Sequence, residues 1–349
     1  MRIGVLTGGG DCPGLNAVIR AVTKSLIRQC GAEVLGIEHG FQGLIEGRAR
    51  ALDWRAVSGI VAAGGTILGT SNRADPLGSE AALQATLRHA REWRLDGVVA
   101  IGGDGTMAIA GGLARHGLRL VGVPKTIDND IEGCERSFGF DTAVAIVAEA
   151  LERVQTTGQS HGRVMIVETM GRYAGWIALE AGIAGAADAI LLPELDYRVE
   201  AVAALCRERE QRQRYTVVCI AEGAKALGGE LTVGERIESS PDPVRLGGVA
   251  HVLRAQLQPN LHSEVRSTVL GHVQRGGSPT PFDRVLATRF GNEAAHLVQR
   301  GDYGRMVTLA GGELTSVPLA GVAGRVRRVP LDHPLLACAR QIGVSLGEG

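Results

Sequence analysis

The sequence predicts an α/β protein in two domains, and three observations carry that reading. Short aliphatic or β-branched runs, then glycines, then longer amphipathic segments recur along the chain, the pattern of strands alternating with helices. The runs IGVL, VVAI, LVGV and VVCIA are continuously apolar, as strands buried on both faces of a parallel sheet are. At 349 residues the chain exceeds the roughly 100–200 residues of one ordinary domain, so two are expected, with ample chain for a sizeable core.

In order, IGVL lies in a first strand, Arg2–Thr7, which runs through glycines into a helix at Leu15–Gln29. Glu33–Glu38 is the next strand, and Glu80–Glu92 the next helix, with Leu83, Leu87 and Ala90 at helical spacing. VVAI marks the strand Gly97–Ile101, followed by a helix at Thr106–Arg115, and LVGV marks the strand Arg119–Val123. Asp141–Thr156 reads as a helix, Val164–Glu168 as a strand, Tyr173–Ala184 as a helix, Ala189–Leu192 as a strand and Arg198–Gln211 as a helix. VVCIA forms the strand Thr216–Ala221. Lys225 to Ser263, with paired glycines, Pro241, Pro243 and charges, is the least regular stretch and reads as a loop or insertion, with a helix at Val249–Gln258. A strand at Ser267–Leu270, a helix at Pro281–Arg300 and a strand at Met306–Leu309 complete the pattern, without repeats or low-complexity tracts.

Composition excludes several function classes. Lys and Arg total 37 against 37 Asp and Glu, so no diffuse basic field holds nucleic acid, and affinity for anions must come from local clusters. The N-terminal MRIGVLTGGGD is too short in its apolar run for a signal h-region, and no uninterrupted apolar stretch is long enough to span a membrane. Six cysteines are scattered without CxxC or Cys/His ligand spacing, which reads as reduced thiols in a cytoplasmic protein.

Three segments are candidates for chemistry. TGGGDCPGLNAVIR (7–20) leaves a strand through glycines and enters a helix, so backbone N–H groups and a helix N-terminus can meet a phosphate; the structural alternative is a tight turn with Asp11 as capping side chain. VVAIGGDGTMAIAGG (98–112) repeats the arrangement with a carboxylate in the loop. Asp104 can hold Mg²⁺, while Gly103, Gly105 and Thr106 present N–H groups and a hydroxyl. VGVPKTIDNDIEG (121–133) ends a strand with Lys125, Thr126 and Asp128. In extended backbone Thr126 and Asp128 share a side, and Asp128 can be a general base beside a cation; the alternative is an Asx-rich turn with a solvated lysine. Arg73, Arg172, His272 and Arg275 stand in glycine or small-polar contexts suited to phosphate. No Walker loop, nucleophile elbow or His-Glu-x-x-His occurs, and Cys12, near a helix N-terminus but without a base, is incidental.

TGGGDCPGLNAVIR, IGGDGT, PKTIDNDI, VETMGRYAGWIAL, AEG and VLGHVQRGGSPTPFDR occur in the order and spacing of the 6-phosphofructokinases, and the chain resembles that family over nearly its full length. The resemblance implies two similar domains, each a mainly parallel sheet flanked by helices, with the active site in the cleft. Residues 1–139 with 274–324 would take the phosphoryl donor, and 140–273 with 325–349 the fructose 6-phosphate. The implied reaction transfers phosphate to the 1-hydroxyl. By motif, Asp128 is the base, Asp104 holds Mg²⁺, Arg73 and Arg172 stabilise the moving phosphoryl, and Thr126 and Lys125 support the site. Gly10, Gly103, Gly105 and Thr106 line the donor phosphates. Met170, Gly171, Arg172, Glu222, His272 and Arg275 bind the sugar phosphate, while Arg163 and Arg266 reach it from the neighbouring subunit of a homodimer or homotetramer.

Two positions bear on the donor. Pyrophosphate-using members typically carry a second aspartate where Gly105 stands, and glycine leaves room for the α-phosphate of ATP; Lys125 is what pyrophosphate enzymes carry. The Gly/Lys pair resembles the mixed-substrate branch of the phosphofructokinase A type and favours ATP, with pyrophosphate as the alternative. Arg20, Lys24 and Asp188 are compatible with the effector ligands of allosteric bacterial members, but Gln155 replaces an arginine, so weak effector control is expected. A nicotinamide oxidoreductase satisfies Gly103-x-Gly105-x-x-Ala108, yet the following strand ends at Val123-Pro124-Lys125 without the ribose-binding carboxylate. NAD kinases share GGDGT but not PKTIDNDI. A non-catalytic sugar-phosphate-binding subunit would be expected to lose Asp128, Asp104 or Arg172, all present here.

Overall fold

The computed structural model describes residues 1–212, 214–236, 244–322 and 324–349, which form two compact units. The first comprises Met1–Ile127, Ile131–Asp141 and Arg275–Arg325; the second comprises Asp128–Asp130, Thr142–Gln274 and Val326–Gly349.

The first unit runs β1 (Arg2–Gly8), α1 (Leu15–Cys30), β2 (Glu33–Ile37), α2 (Phe41–Glu46), β3 (Ala49–Ala51), α3 (Glu80–Glu92), β4 (Gly97–Gly102), α4 (Asp104–Arg115) and β5 (Leu120–Pro124). The second unit holds most of α5 (Phe140–His161), then β6 (Val164–Thr169), α6 (Trp176–Ala184), β7 (Ala189–Leu191), α7 (Val199–Gln211), β8 (Thr216–Ala221), the hairpin β9 (Val233–Arg236) with β10 (Val244–Leu246), α8 (Val249–Leu257) and β11 (Val265–Val269). The chain then contributes α9 (Pro281–Arg300), β12 (Arg305–Ala310) and β13 (Glu313–Pro318) to the first unit and α10 (Pro334–Gln341) to the second.

In the first unit seven strands lie in the order β13-β12-β5-β4-β1-β2-β3, parallel except at the two edges. The apolar runs are central: Ile3, Val5, Val98, Ile101 and Val123 are fully buried. Strand order reverses between β1 and β4, paired from Ile3 with Gly97 to Gly8 with Gly102, and open α/β sheets bind ligands outside the carboxyl ends of strands at such a switch. Thr106 fills the corner there: a Cβ on Gly8 or Gly102 would stand 2.7 or 2.2 Å from its hydroxyl oxygen, so both strands must end in glycine.

The second unit's sheet is parallel, β11-β6-β8-β7, and its core gathers Val164, Ile166, Leu191, Val218, Ile220, Leu253 and Val265. Glu168 is buried beneath α8, its carboxylate accepting the N–H groups of Gly248 and Ala250 at 2.8 Å each. This carboxylate satisfies donors that the helix itself leaves open.

Several expectations shift. The helix expected from Thr106 begins at Asp104, and the one expected from Tyr173 begins at Trp176, with Gly175 at its N-cap donating its N–H to Glu194. The expected loop over 225–263 contains the β9–β10 hairpin as well as α8; its 237–243 portion lies outside the described residues. No helix among the described residues is long and apolar enough to cross a membrane.

All six cysteines are free, with Cys12, Cys134, Cys206 and Cys219 buried and Cys30 and Cys338 exposed. Burial pushes the Cys12, Cys206 and Cys219 thiols up to about 12, so Cys12 gains no reactivity from its position before α1. Titration of the native protein with a thiol reagent at neutral pH is expected to show Cys30 and Cys338 reacting promptly and the other four only after denaturation. Fast reaction at Cys12 would contradict this packing.

Candidate active site

In the first unit the loops after β1, β4 and β5 are tied together. Lys125 is buried at 4% exposure. Its ammonium donates to the Gly10 carbonyl, and its backbone N–H donates to the Gly102 carbonyl at 2.9 Å. The alternative of a solvated lysine is therefore wrong. So is the capping role for Asp11: α1 is entered through Gly14, at φ 106°, with no side-chain cap.

Arg73 is exposed on a segment joined to the same loop, where Gly9 N–H donates to the Ser71 carbonyl at 3.2 Å and the Thr70 hydroxyl to the Gly9 carbonyl at 2.6 Å. Arg275 belongs to this unit too: its guanidinium donates to the Asp11 carbonyl at 3.3 Å and lies against Gly10.

Asp104 occupies the first turn of α4, half-buried, with Oδ1 accepting the Gly324 N–H at 3.0 Å. Mg²⁺ is commonly held by one or two carboxylates, with phosphates and water filling its remaining positions, and a half-exposed carboxylate fits that role. Gly103 has only the Lys125 carbonyl near its Cβ position, at 3.5 Å, and Gly105 is exposed with no heavy atom within 4 Å. Thr106 is buried, and its hydroxyl faces the ends of β1 and β4.

The backbone after β5 is not extended through Asp128, as the shared-side argument for Thr126 and Asp128 supposed. The strand ends at Pro124, residues 127 and 128 bend, and Asn129 takes φ 53°, the left-handed region that a non-glycine residue rarely adopts. The Thr126 carbonyl accepts the Ser137 hydroxyl at 2.8 Å.

In the second unit, the ends of β6 and β8 bring Met170, Gly171 and Arg172 beside Glu222. Glu222 N–H donates to the Thr169 carbonyl at 2.9 Å and Gly223 N–H to the Gly171 carbonyl at 3.2 Å. Gly223 has to be glycine, since a Cβ there would sit 2.0 Å from the Arg172 carbonyl oxygen. The Arg172 guanidinium lies 4.8 Å from the Tyr173 ring centroid. His272 is exposed on the turn Gly271–Arg275, which the buried Gln274 fixes by accepting the Met170 N–H at 3.2 Å and donating to the Gly271 carbonyl at 3.0 Å.

Arg163 precedes β6 and Arg266 lies on the edge strand β11; both pair with Glu264, Arg163 at 2.7 Å. Sequence reasoning missed Glu264, Glu168 and the structural use of Gln274, for which the sequence offered only acidic or amide residues at strand ends.

The model of the family described as phosphofructokinase matches residues 2–298. The chain belongs to the phosphofructokinase family. Among phosphofructokinase relatives, one from Streptomyces coelicolor named ATP-dependent 6-phosphofructokinase 2 is 48% identical over 95% of this chain and 98% of its own. One of the same name from Clostridium perfringens is 43% identical over 99% of this chain and 98% of its own. A Streptomyces coelicolor protein named pyrophosphate–fructose 6-phosphate 1-phosphotransferase is 45% identical over 94% of this chain and 96% of its own. The solved phosphofructokinase of Pichia pastoris in its T-state superposes with a TM-score of 0.80 at 30% identity, covering 92% of this chain and 35% of that larger one.

Proposed function

We propose that this phosphofructokinase transfers the γ-phosphoryl of ATP to the 1-hydroxyl of fructose 6-phosphate, giving fructose 1,6-bisphosphate in glycolysis. The observation that carries the choice of donor is the open space around Gly105, beside Asp104 on the loop after β4. The first unit binds the donor: backbone N–H groups of Gly103 and Gly105 at the start of α4 cradle its phosphates, Gly10 lines them, and Arg73 and Lys125 offset their charge. Thr106, at the start of α4, lines the phosphates with them and shapes the loop. Asp104 would hold Mg²⁺, which when bound neutralises charge on the donor phosphates.

The second unit binds the acceptor. Met170, Gly171, Arg172 and Glu222 hold the sugar and His272 its 6-phosphate, with Arg275 of the first unit as a further ligand of that phosphate. Thr126 supports Asp128, whose carboxylate takes the proton of the 1-hydroxyl, while Arg172 stabilises charge on the transferring group. Arg163 and Arg266 complete the 6-phosphate site of a neighbouring subunit in a homodimer or homotetramer; their common partner Glu264, on the sheet edge, supports a shared orientation. The six free thiols support a cytoplasmic setting.

A coupled assay tests the reaction: ATP, Mg²⁺ and fructose 6-phosphate are expected to give the bisphosphate, whereas ATP with NAD gives no phosphorylated nucleotide. The reverse pattern would make the GGDGT loop that of an NAD kinase. Pyrophosphate remains the second donor reading because Lys125 is part of the loop cluster.

Weak effector control belongs to the same proposal. Asp188 is committed to the Val217 N–H and to Arg209, both at 2.8 Å, and the Gln155 amide donates to the Gly185 carbonyl. Half-saturation by fructose 6-phosphate is expected to stay unchanged on adding ADP or phosphoenolpyruvate, and a large shift would contradict it.

A further inference from the structure

We infer that Arg327, supported by Trp176, is a positioning residue that holds the backbone of the Asp128 loop in its working conformation. The inference rests on the reading of Asp128 as the base. Asn129, the next residue, is in the left-handed region, a conformation that persists where surrounding contacts enforce it.

Arg327 supplies two of those contacts to consecutive residues. Its guanidinium donates to the Asn129 carbonyl at 2.9 Å, and its own backbone N–H donates to the Asp130 carbonyl at 2.8 Å. Arg327 is itself fixed from the other side. The guanidinium carbon lies 4.1 Å from the centroid of the Trp176 ring, and the indole N–H donates to the Arg327 carbonyl at 3.0 Å.

Trp176 is a rigid support. It is 2% exposed, opens α6 directly after the Met170–Gly175 segment, and meets the His333 ring edge-on at 5.0 Å. Two residues further along the chain, Val329 N–H donates to Glu194, which also receives the Gly175 N–H. One short segment, residues 327–329, therefore joins the loop that carries the base to the loop assigned to the sugar phosphate, and both loops belong to the second unit.

A fixed base matters because proton transfer requires hydrogen-bond distance to the hydroxyl, and a displacement of about 1 Å can cost on the order of 10²-fold in rate. Arg327→Met keeps a long apolar side chain against Trp176 but removes the donor to Asn129. It is expected to lower kcat on the order of 10- to 100-fold. The KM for ATP should be unchanged, and amide hydrogen exchange should accelerate in the peptide spanning residues 126–131 and not across the rest of the chain. Arg327→Lys, which keeps one donor and the charge, should recover part of the loss. Trp176→Phe, which keeps a ring but deletes the indole N–H, should fall between wild type and Arg327→Met and serves if the methionine variant does not fold.

An Arg327→Met enzyme with wild-type kcat, or with exchange in 126–131 unchanged, overturns the inference. Asp128→Ser run alongside separates the two readings: if it keeps its turnover the base assignment fails, and if it is inactive while Arg327→Met is not, the positioning role alone fails.

Discussion

Asp128→Ser is expected to lower kcat by about 10²–10⁴-fold, the range that a positioned general base contributes, while fructose 6-phosphate still binds with nearly its original affinity. Serine removes the acceptor for the hydroxyl proton, a need that arises as the bond to phosphorus forms, and leaves the sugar-phosphate contacts in place. Asp128 is half-buried at the bend after β5, so the smaller side chain introduces no overpacking. Initial rates together with equilibrium binding of fructose 6-phosphate to the variant check the result. An unaffected kcat would remove Asp128 from the role of base, and lost binding with retained kcat would make it a substrate ligand instead.

Gly105→Asp should abolish most ATP use, with kcat/KM for ATP falling on the order of 10²-fold or more, because a carboxylate set against a donor phosphate costs several kcal/mol. The fold itself should accept the change. Gly105 is exposed in the first turn of α4, a Cβ there meets nothing within 4 Å, and a carboxylate at a helix N-terminus is favourable. The loss would thus come from the nucleotide's side of the contact. Thermal unfolding of the variant at or above the wild-type temperature, alongside the lost ATP activity, is the expected pair of results; unchanged ATP kinetics would show that Gly105 does not set the donor.

The sequence made the parallel core strands legible because both their faces are buried, so Ile3–Leu6, Val98–Ile101 and Val217–Ile220 read as unbroken apolar runs. The helix Pro281–Arg300 was equally plain, with Thr280 capping its start through the Asp283 N–H and Gly301 ending it in the left-handed conformation. What escaped was short or at an edge. α2 has six residues and β3 three, too few to set a period, and β13 breaks its alternation at Ser316 and Val317, both half-buried. α10 carried a usable signal in Pro334 at its first turn, after His333.

The candidate site divides in the same way. Residues on the glycine loops announced themselves by local spacing, since backbone approach and chemistry there depend on neighbours in sequence. The clamp on Asn129 comes from Arg327, 198 positions away, and the Gln274 contact with Met170 spans 104; no local pattern encodes such pairs. Thr106 shows both levels at once: its place in GGDGT is a local signal, whereas the corner that its side chain fills is made by two glycine strand ends distant in sequence.

The phosphoryl donor is decided by the initial rate of fructose 1,6-bisphosphate formation from fructose 6-phosphate and Mg²⁺, with ATP and pyrophosphate supplied side by side to the wild-type protein. Activity with ATP and none with pyrophosphate is the expected result, and it would make Gly105 the feature that sets the donor. Activity with pyrophosphate alone would contradict ATP as the donor and assign donor choice to Lys125.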